Sequence, residues 1–327
     1  MTRMPFFLAT AITFFAGAAF SDPLPSWNDG GTKTAIIEFV DSVTDPDADT
    51  YVPERDRIAV FDNDGTLWAE QPAYFQVLYA LDILKEKAAA DPSILTSDVL
   101  RAANDGDMEG MMANGLDGLL EIINMSHSGI TAEDFKASAH EWLTNTTHPT
   151  MEMEYAALTY QPMVELLRYL RDEDFTTYIV SGGGIDFIRA ISRKAYGIPP
   201  WQVVGSEGNT SYSAESGTPT ITKDGGISFV DDKEGKPVGI MRHIGQRPIL
   251  AGGNSDGDFA MLEWTTAGEG PRFGLLIHHT DAEREFAYDR DGHIGVLNRG
   301  LDEAGERGWT LVDMKEDWSR VWTGASE

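Results

Sequence analysis

The chain has 327 residues, of which 42% are hydrophobic, and this is enough for one large domain or for a core with an inserted unit. Its 25 lysines and arginines stand against 53 aspartates and glutamates, which gives a formal net charge of -28. Such a negative field repels a phosphate backbone, so nucleic acid is disfavoured as a partner. A small anionic substrate needs a local positive group to attract it. The absence of cysteine excludes disulfides and thiolate metal sites.

Residues 1–21 have the layout of a secretory signal peptide. One basic residue precedes an apolar stretch that ends near Phe20, and small residues come before the acidic Asp22. This layout predicts cleavage around residues 19–22 and export to a bacterial periplasm or to the medium, with no stable membrane anchor afterwards. The alternative is an anchor that stays attached, although the apolar run is shorter than the ~20 residues that span a bilayer.

The predicted elements change in character along the chain. A helix over 34–43 precedes a buried strand in the segment RIAVFDND, which contains residues 58–61. From Tyr74 to about Trp142 the periodic segments are all helical, and Ser97 and Thr131 offer N-terminal caps to two of them. Helices and strands then alternate. The predicted helices cover 163–175, 186–198, 238–245 and the segment after Asp258. The predicted strands cover 176–184, 201–208 and 273–281, a hairpin covers 210–232, and a strand with its following loop covers 248–258.

This alternation predicts an α/β protein with a parallel, Rossmann-like sheet between two layers of helices. The core is expected over residues 22–69 and 150–327, with a helical insertion over 70–149. Three predicted strands end in polar, glycine-containing segments: DNDGT, SGGG and GGNSDGD. Because ligands bind at the carboxyl ends of strands in such sheets, these segments are expected to meet at one edge.

Two aspartates one residue apart, Asp62 and Asp64, follow the first buried strand. Carboxylates held this close raise one another's pKa unless a positive charge lies between them. Mg²⁺ suits the position, since it binds through one or two carboxylates together with substrate phosphate oxygens. The alternative is a turn whose aspartates only cap the following helix.

The glycine-rich segment at Ser181 is the second candidate binding element. A hydroxyl and backbone N–H groups without blocking side chains suit a phosphate oxygen, which Ser181, Gly182 and Gly183 could contact. A dinucleotide loop is the competing interpretation, but Phe187 stands where its third glycine is needed. A plain turn between strand and helix remains a further alternative.

Taken together and in this order, DNDGT, YIVSGGG and GGNSDGDFAML resemble motifs of the haloacid dehalogenase-like hydrolases, closest to the phosphoserine-phosphatase-like branch. The resemblance covers about residues 56–70 and 155–280, and the helical insertion is similar to the mobile cap of that family. It implies that Asp62 attacks phosphorus and forms an aspartyl-phosphate, while Asp64 protonates the leaving group and later deprotonates water. The family's dehalogenases lack an acid at the position of Asp64, so its presence here implies phosphoryl transfer.

The resemblance also implies a lysine that neutralises the phosphate and the nucleophile. Lys236, at the start of the helix before the last motif, matches the place where the family keeps it, and Lys233 is the alternative. In the last motif the alignment puts Asn254 at the first acidic position and Asp258 at the second. The implied metal ligands are therefore Asp62, Asp64, Asn254 and Asp258, with Asp256 as a possible further ligand.

The leading hypothesis is an exported, Mg²⁺-dependent phosphatase for small phosphorylated metabolites. A catalytically weakened binding protein on the same fold, suggested by Asn254, and a phosphotransferase to an alcohol acceptor are the alternatives. Zinc is disfavoured because the histidines show no HxH or HxxxH spacing. The cap is expected to set specificity, with Glu70, Tyr74, Met111 and Met112 as candidates to face the site. Neither the ester nor the oligomeric state can be predicted from the sequence.

Overall fold

The computed structural model describes residues 22–215 and 217–324, without the side chains of residues 108, 112 and 116. The predicted signal peptide, residues 1–21, lies outside the described residues. Within the described ranges, no helix is both long and apolar enough to cross a membrane.

Seven strands form one sheet in the spatial order β4-β3-β2-β1-β5-β6-β7. Their bounds are β1 Ile58–Phe61, β2 Thr176–Gly184, β3 Val203–Ser213, β4 Thr220–Phe229, β5 Leu250–Gly253, β6 Phe273–His278 and β7 Thr310–Asp313. Neighbouring strands are parallel except for the hairpin of β3 and β4. The predicted parallel α/β architecture is therefore confirmed.

The α-helices flank this sheet or lie between β1 and β2. Their bounds are α1 Gly31–Thr44, α2 Phe75–Ala90, α3 Asp98–Asp105, α4 Met108–Met112, α5 Gly115–His127, α6 Ala132–Asn145, α7 Gln161–Asp172, α8 Ile185–Arg189, α9 Ser192–Tyr196, α10 Gly235–His243, α11 Phe259–Thr266, α12 Arg299–Arg307 and α13 Met314–Asp317. Single 3₁₀ turns occur at 54–56, 92–94, 155–157 and 200–202. No element was predicted beyond residue 281, where the structure has α12, β7 and α13.

One predicted helix differs from the observed one. The segment 186–198 forms two short helices, α8 and α9, instead of a continuous helix. At the break, Ala190 and Ile191 donate to carbonyls three residues back, at 3.2 Å each, which tightens the chain into a 3₁₀ turn. The helical periodicity of the segment was correct, but periodicity does not reveal such an interruption.

The first strand explains how the sheet is buried on both faces. Ala59 and Phe61 pack into the larger core cluster, which contains residues of α1 and α7. Ile58 and Val60 pack into the cluster on the opposite face, which contains residues of α10, α11 and α12. A strand covered on both sides reads as an unbroken apolar run, and IAVF is such a run.

Helices α2 to α6 follow β1 and form the cap. Their own small core contains Leu84, Leu100 and Ile122. The two predicted helix N-cap residues are confirmed. Ser97 Oγ accepts from the Leu100 N–H at 3.1 Å, and Thr131 Oγ1 accepts from the Asp134 N–H at 3.0 Å. Because a cap hydroxyl satisfies an otherwise unpaired helix N–H, each contributes about 1 kcal/mol to its helix.

Aromatic contacts join the cap to the sheet unit. The ring of Phe75 in α2 lies 4.9 Å from that of Trp68, and the ring of Tyr79 lies 5.4 Å from that of Phe187, centroid to centroid. Phe75, Tyr79 and Phe187 all belong to the larger core cluster. The base of the cap is therefore continuous with the main core, and its position over the strand ends is fixed by packing.

Candidate active site

The predicted site segments come together at the carboxyl ends of three adjacent strands. In the parallel pairing Phe61 lies opposite both Ile179 of β2 and Gly252 of β5. The Asp62 N–H continues the ladder by donating to the Gly252 carbonyl at 2.9 Å. The segments after β2, β1 and β5 therefore meet at one edge, as predicted from the strand order.

The centre of the site is a buried ion cluster formed by Lys236, Asp62 and Asp258. Lys236 Nζ donates to Asp62 Oδ1 at 2.6 Å, to Asp258 Oδ1 at 2.6 Å and to the Val180 carbonyl at 2.9 Å. Burial alone would lower the pKa of the Lys236 ammonium, but Asp258 and Asp62 raise it well above its ordinary value. The lysine is therefore held charged, and its three donors are all used.

Asp258 ties this ion cluster to the loop after β5. Its second oxygen, Oδ2, accepts from the backbone N–H of Asn254 at 2.9 Å and of Ser255 at 3.1 Å. A methyl group built on Gly253 would lie 2.5 Å from the Asp258 Cβ, so only glycine allows this close approach. Both oxygens of Asp258 are thus engaged by protein donors.

Asp64, the second aspartate of the first motif, lies beside the glycine-rich segment. Its Oδ1 accepts from Trp68 Nε1 at 2.9 Å, and its Oδ2 lies 3.4 Å from a methyl group built on Gly183. Burial raises the pKa of Asp64 to about 6, although the Trp68 hydrogen bond and the charge of Lys236 oppose this shift. A carboxyl of this kind can hold a proton and release it near neutral pH.

Asn254 contacts a buried acid, Glu70, that the sequence offered only as a cap candidate. Asn254 Nδ2 donates to Glu70 Oε1 at 2.7 Å, and the hydroxyl of Tyr288 donates to the same oxygen at 2.7 Å. Asn254 Oδ1 accepts from Thr66 Oγ1 at 3.2 Å. Burial raises the pKa of Glu70 to about 7, while the nearby His279 opposes the rise.

A second buried layer supports the turn after β1. His279 Nε2 donates to the Gly65 carbonyl at 2.8 Å, and its Nδ1 lies 3.1 Å from Glu285 Oε2. The hydroxyl of Tyr160 donates to the other oxygen of Glu285 at 3.0 Å. Sequence reasoning missed this layer because it comes from the segment after β6, about two hundred residues from the turn, and shows no motif of its own.

The glycine-rich segment is connected to the cap by a chain of hydrogen bonds. The Gly184 N–H donates to Gln76 Oε1 at 2.7 Å, and Gln76 Nε2 lies 3.2 Å from His127 Nε2. His127 Nδ1 lies 2.6 Å from Ser126 Oγ, which donates to the Ile123 carbonyl. For every donor to have an acceptor, the imidazole is neutral with its proton on Nδ1. These hydrogen bonds therefore join the glycine-rich segment to helix α5.

The remaining predicted site residues have other positions. Ser181 is buried, and its Oγ accepts from the Gly183 N–H at 3.1 Å. Asp256 is turned to α12, where it accepts from the backbone N–H groups of residues 298, 299 and 300. Lys233 is exposed, and its backbone N–H donates to the Gly257 carbonyl. Of the two candidate lysines, the structure brings only Lys236 to the aspartates.

The carboxylate and amide oxygens of the site suit a hard cation such as Mg²⁺. Among residues 22–215 and 217–324, no group of three or more histidine, cysteine or acidic side chains is arranged as a metal site. Mg²⁺ does not need such a group, since one or two carboxylates, waters and substrate oxygens can bind it. Asp62, Asp64 and Asn254 offer oxygens of this type. Because the amide nitrogen of Asn254 donates to Glu70, Oδ1 is the atom of Asn254 that could bind a cation, and this oxygen also accepts from Thr66 Oγ1.

The site opens into a cavity of about 310 Å³ between the strand ends and the cap, here called the site cavity. Its floor includes Asp62, Asp64 and Lys236, and Glu70 and Tyr74 also line it, as the sequence suggested. Met111 instead packs in the cap core, and the side chain of Met112 lies outside the description. The cavity has the size and enclosure of a small-molecule site.

The chain has an α/β sheet with buried carboxylates and a lysine at its strand ends, an arrangement typical of enzymes. Comparison of the sequence with models of protein families identifies the family. The sequence model of the haloacid dehalogenase-like hydrolase family matches residues 59–263, so the chain belongs to that family. This confirms the resemblance seen in the three motifs. No curated protein matches the sequence.

Three solved structures are similar to this chain at low sequence identity. A conserved protein of unknown function from Anaerococcus prevotii is 17% identical, with a TM-score of 0.50 and coverage of 76% of this chain and 86% of that one. A protein of unknown function from Bordetella pertussis is 18% identical, with a TM-score of 0.46 and coverage of 79% and 98%. A phosphoserine phosphohydrolase-like protein from Francisella tularensis is 16% identical, with a TM-score of 0.39 and coverage of 76% and 98%.

Proposed function

We propose that this protein is an exported, Mg²⁺-dependent phosphatase that hydrolyses small phosphate monoesters through an aspartyl-phosphate on Asp62. The observation that supports this most is the position of Lys236, whose Nζ lies 2.6 Å from Asp62 Oδ1 and 2.6 Å from Asp258 Oδ1. Phosphoryl transfer depends on positioned positive charge around the phosphoryl oxygens. Membership of the haloacid dehalogenase-like hydrolases supports a hydrolytic reaction.

In the first step, Asp62 attacks the phosphorus atom of the ester. A bond forms between a carboxylate oxygen and phosphorus, and the bond from phosphorus to the alcohol oxygen breaks. Asp64, protonated at this stage, gives its proton to the departing oxygen, so a neutral alcohol leaves. Lys236 holds one oxygen of Asp62 and so leaves the other for the attack. The product is an acyl phosphate on Asp62.

In the second step, water hydrolyses the acyl phosphate. Asp64, now ionised, takes a proton from the water molecule while the water oxygen attacks phosphorus. The bond from phosphorus to Asp62 breaks, and Asp62 leaves as a carboxylate. Free phosphate is released and Asp64 is again protonated. The position of Asp64 beside both Asp62 and the glycine-rich segment suits both proton transfers.

Asp62, Asp64 and Asn254 are proposed to hold Mg²⁺, with Asp64 contributing its backbone carbonyl. When bound, the ion supplies positive charge that offsets the repulsion between the phosphoryl group and Asp62. Because the protein carries a net charge of -28, local positive charge also accounts for how an anionic substrate approaches. The buried pair of Glu70 and Asn254 then fixes which amide atom faces the ion.

Export is proposed from the layout of residues 1–21, with a basic residue, an apolar stretch and small residues before Asp22. Expression of the full chain in a Gram-negative bacterium, followed by fractionation and N-terminal sequencing, tests it. The expected product begins between residues 19 and 23 and is found in the periplasm or medium. Intact protein in the cytoplasm or membrane fraction would contradict export.

Phosphate release from 4-nitrophenyl phosphate tests the reaction. Mature protein is expected to release phosphate with Mg²⁺, to lose activity with EDTA and to regain it on adding Mg²⁺ back. Asp62→Asn is expected to abolish turnover while leaving the circular dichroism spectrum unchanged. The absence of release with any divalent metal would favour a binding protein. An excess of 4-nitrophenol over free phosphate in the presence of glycerol would favour transfer to an alcohol.

A further inference from the structure

The walls of the site cavity beyond the acidic floor are mainly apolar. One wall belongs to helix α5 of the cap, where Leu119, Leu120 and Ile123 recur at the spacing of one helix face. A further part of the wall belongs to the β3–β4 hairpin and its continuation, with Ile227 and the half-exposed Val230. The side of the cavity that would receive the alcohol part of an ester therefore offers apolar surface to an apolar group.

The charges around the site cavity leave no free cation for a second anionic group. Among the described residues that line it, eight are acidic and two are lysines, Lys223 and Lys236. Lys236 is bound by Asp62 and Asp258. Lys223 Nζ donates to Asp186 Oδ2 at 2.6 Å and lies 4.7 Å from the centroid of the Phe135 ring. Both lysines are thus already paired with carboxylates.

Three further acids that line the cavity lie on the hairpin side. Asp224 and Asp232 are exposed and line the cavity, and Glu207, which is half-buried, lies 2.7 Å from His243 Nε2. His127, which also lines the cavity, is held neutral by its bonds to Gln76 and Ser126 and supplies no positive charge. A carboxylate or second phosphate on the substrate would therefore face negative charge, and burying it unpaired is unfavourable.

We propose that the preferred substrates are phosphate monoesters of apolar alcohols, with the phosphoryl group as their single anionic group. This inference rests on the phosphatase activity proposed above and specifies its substrate class. The cavity volume and the apolar walls fit an alkyl or aryl group of moderate size. Burial of this group in the transition state raises kcat/KM by roughly fourfold for each methylene removed from water.

The proposal is tested with four phosphate esters, which are chosen so that each comparison changes one property of the alcohol part. Hexyl phosphate and ethyl phosphate differ in apolar length, glycerol 3-phosphate adds neutral polar groups, and 2-phosphoglycolate replaces the methyl of ethyl phosphate by a carboxylate. The expected kcat/KM for hexyl phosphate exceeds that for ethyl phosphate and for glycerol 3-phosphate at least tenfold. The expected value for 2-phosphoglycolate is at least tenfold below that for ethyl phosphate. Equal values, or the reverse order, would overturn the proposal.

A matched pair of esters tests whether the acids on the hairpin select a cation instead. Phosphocholine and 3,3-dimethylbutyl phosphate have the same shape and differ in the charge of the alcohol part. The proposal expects the neutral ester to be hydrolysed at least as well as phosphocholine. A kcat/KM tenfold higher for phosphocholine would overturn it, since the acids and not the apolar walls would then set the preference.

Variants of the two walls locate the effect in the cavity. Ile123→Ser on α5 and Ile227→Ser on the hairpin are each expected to reduce the ratio of kcat/KM for hexyl to ethyl phosphate at least threefold. Met125→Ser is the control on the same helix, because Met125 packs against the cap core and does not line the site cavity. It is expected to leave the ratio unchanged. The same loss in Met125→Ser, or an unchanged ratio in both wall variants, would contradict the assignment.

Failure of this proposal and failure of the phosphatase activity give different results. If the protein is not a phosphatase, none of the esters releases phosphate, including 4-nitrophenyl phosphate. If it is a phosphatase with another preference, phosphate is released but the ranking of the four esters differs.

Discussion

Oε1 of Glu70 accepts a hydrogen bond of 2.7 Å from Nδ2 of Asn254, and both side chains are buried. The hydroxyl of Tyr288 donates to the same oxygen, so Glu70 is bound by two neutral donors. An aspartate at position 254 would put a second carboxylate against Glu70 and would remove one donor. The asparagine at this position is therefore matched to its buried acidic neighbour.

Asn254→Asp is expected to lower the free energy of unfolding by about 1–3 kcal/mol, because a buried acceptor loses its donor and meets a like charge. The double variant Asn254→Asp with Glu70→Gln restores a donor at position 70. It is expected to regain the lost stability and to bind Mg²⁺ more tightly than the wild type, since a carboxylate is the stronger ligand. Urea unfolding and Mg²⁺ titration calorimetry measure the two effects. A single variant as stable as the wild type would show that the Glu70 contact is unimportant.

Lys236→Met is expected to reduce the free energy of unfolding by about 3–5 kcal/mol, because two buried carboxylates lose their counter-charge. Lys233→Met is the matched control, three residues earlier on the surface, and is expected to change stability by less than about 0.5 kcal/mol. Urea unfolding of the two variants checks the difference. A larger effect at Lys233 would reverse the choice between the two lysines.

His127 is expected to make the protein less stable in acid. Burial lowers the pKa of this imidazole to about 3, and Lys223 and Lys87 add to the shift. Because the unfolded chain has the ordinary histidine pKa of about 6.5, the unfolded state binds the proton first as pH falls. Stability is thus full above about pH 6.5 and is lost between about pH 6.5 and pH 3, by about 2 kcal/mol at pH 5.

The pH dependence of unfolding in variants isolates this contribution. His127→Gln has no group to titrate and is expected to lose about 2 kcal/mol less than the wild type between pH 8 and pH 5. His293→Gln, at an exposed histidine, is expected to retain the wild-type dependence. Identical pH profiles for the wild type and His127→Gln would show that His127 is not buried in its neutral form.

Gln76→Leu is expected to weaken the connection between the cap and the glycine-rich segment. The part-buried Gly184 N–H then loses its acceptor, and the lost hydrogen bond costs about 1 kcal/mol. Gln76→Glu keeps an oxygen for Gly184 and is expected to retain more of the stability. Hydrogen exchange at the Gly184 amide separates the two, with faster exchange in the leucine variant. Unchanged protection in Gln76→Leu would mean that the bond does not hold the loop.

Most of the core elements could be predicted because their patterns are local. The strand 58–61 is an unbroken apolar run, and the strand 176–184 was predicted with its observed bounds. The cap helices show regular helical spacing, and Ser97 and Thr131 supply the caps that mark two starts. The elements after residue 281 were not predicted, although α12 has helical periodicity and begins at the carboxylate of Asp256.

The sequence by itself determined which residue types end each strand, because a turn at the end of a buried strand must be polar and flexible. Asp62, Asp64 and Ser181 were predicted as site residues from these positions, and so was the edge at which the segments meet. Asn254 also follows a strand, but its role as a metal ligand was implied by the family resemblance. The order of the motifs was also sufficient to indicate the family, since it does not depend on how the side chains pack.

Only the tertiary structure decided how those residues are used. It placed Lys236, and not Lys233, between two aspartates, turned Asp256 away to α12, and brought Glu70, Tyr288 and His279 behind the first motif. Apart from the short separations of Lys236 from Asp258 and of Glu70 from the first motif, these contacts join residues that are far apart in the chain. No local sequence pattern therefore predicts which group pairs with a buried charge. Local pattern determines where a polar group stands, and packing determines which other group neutralises it.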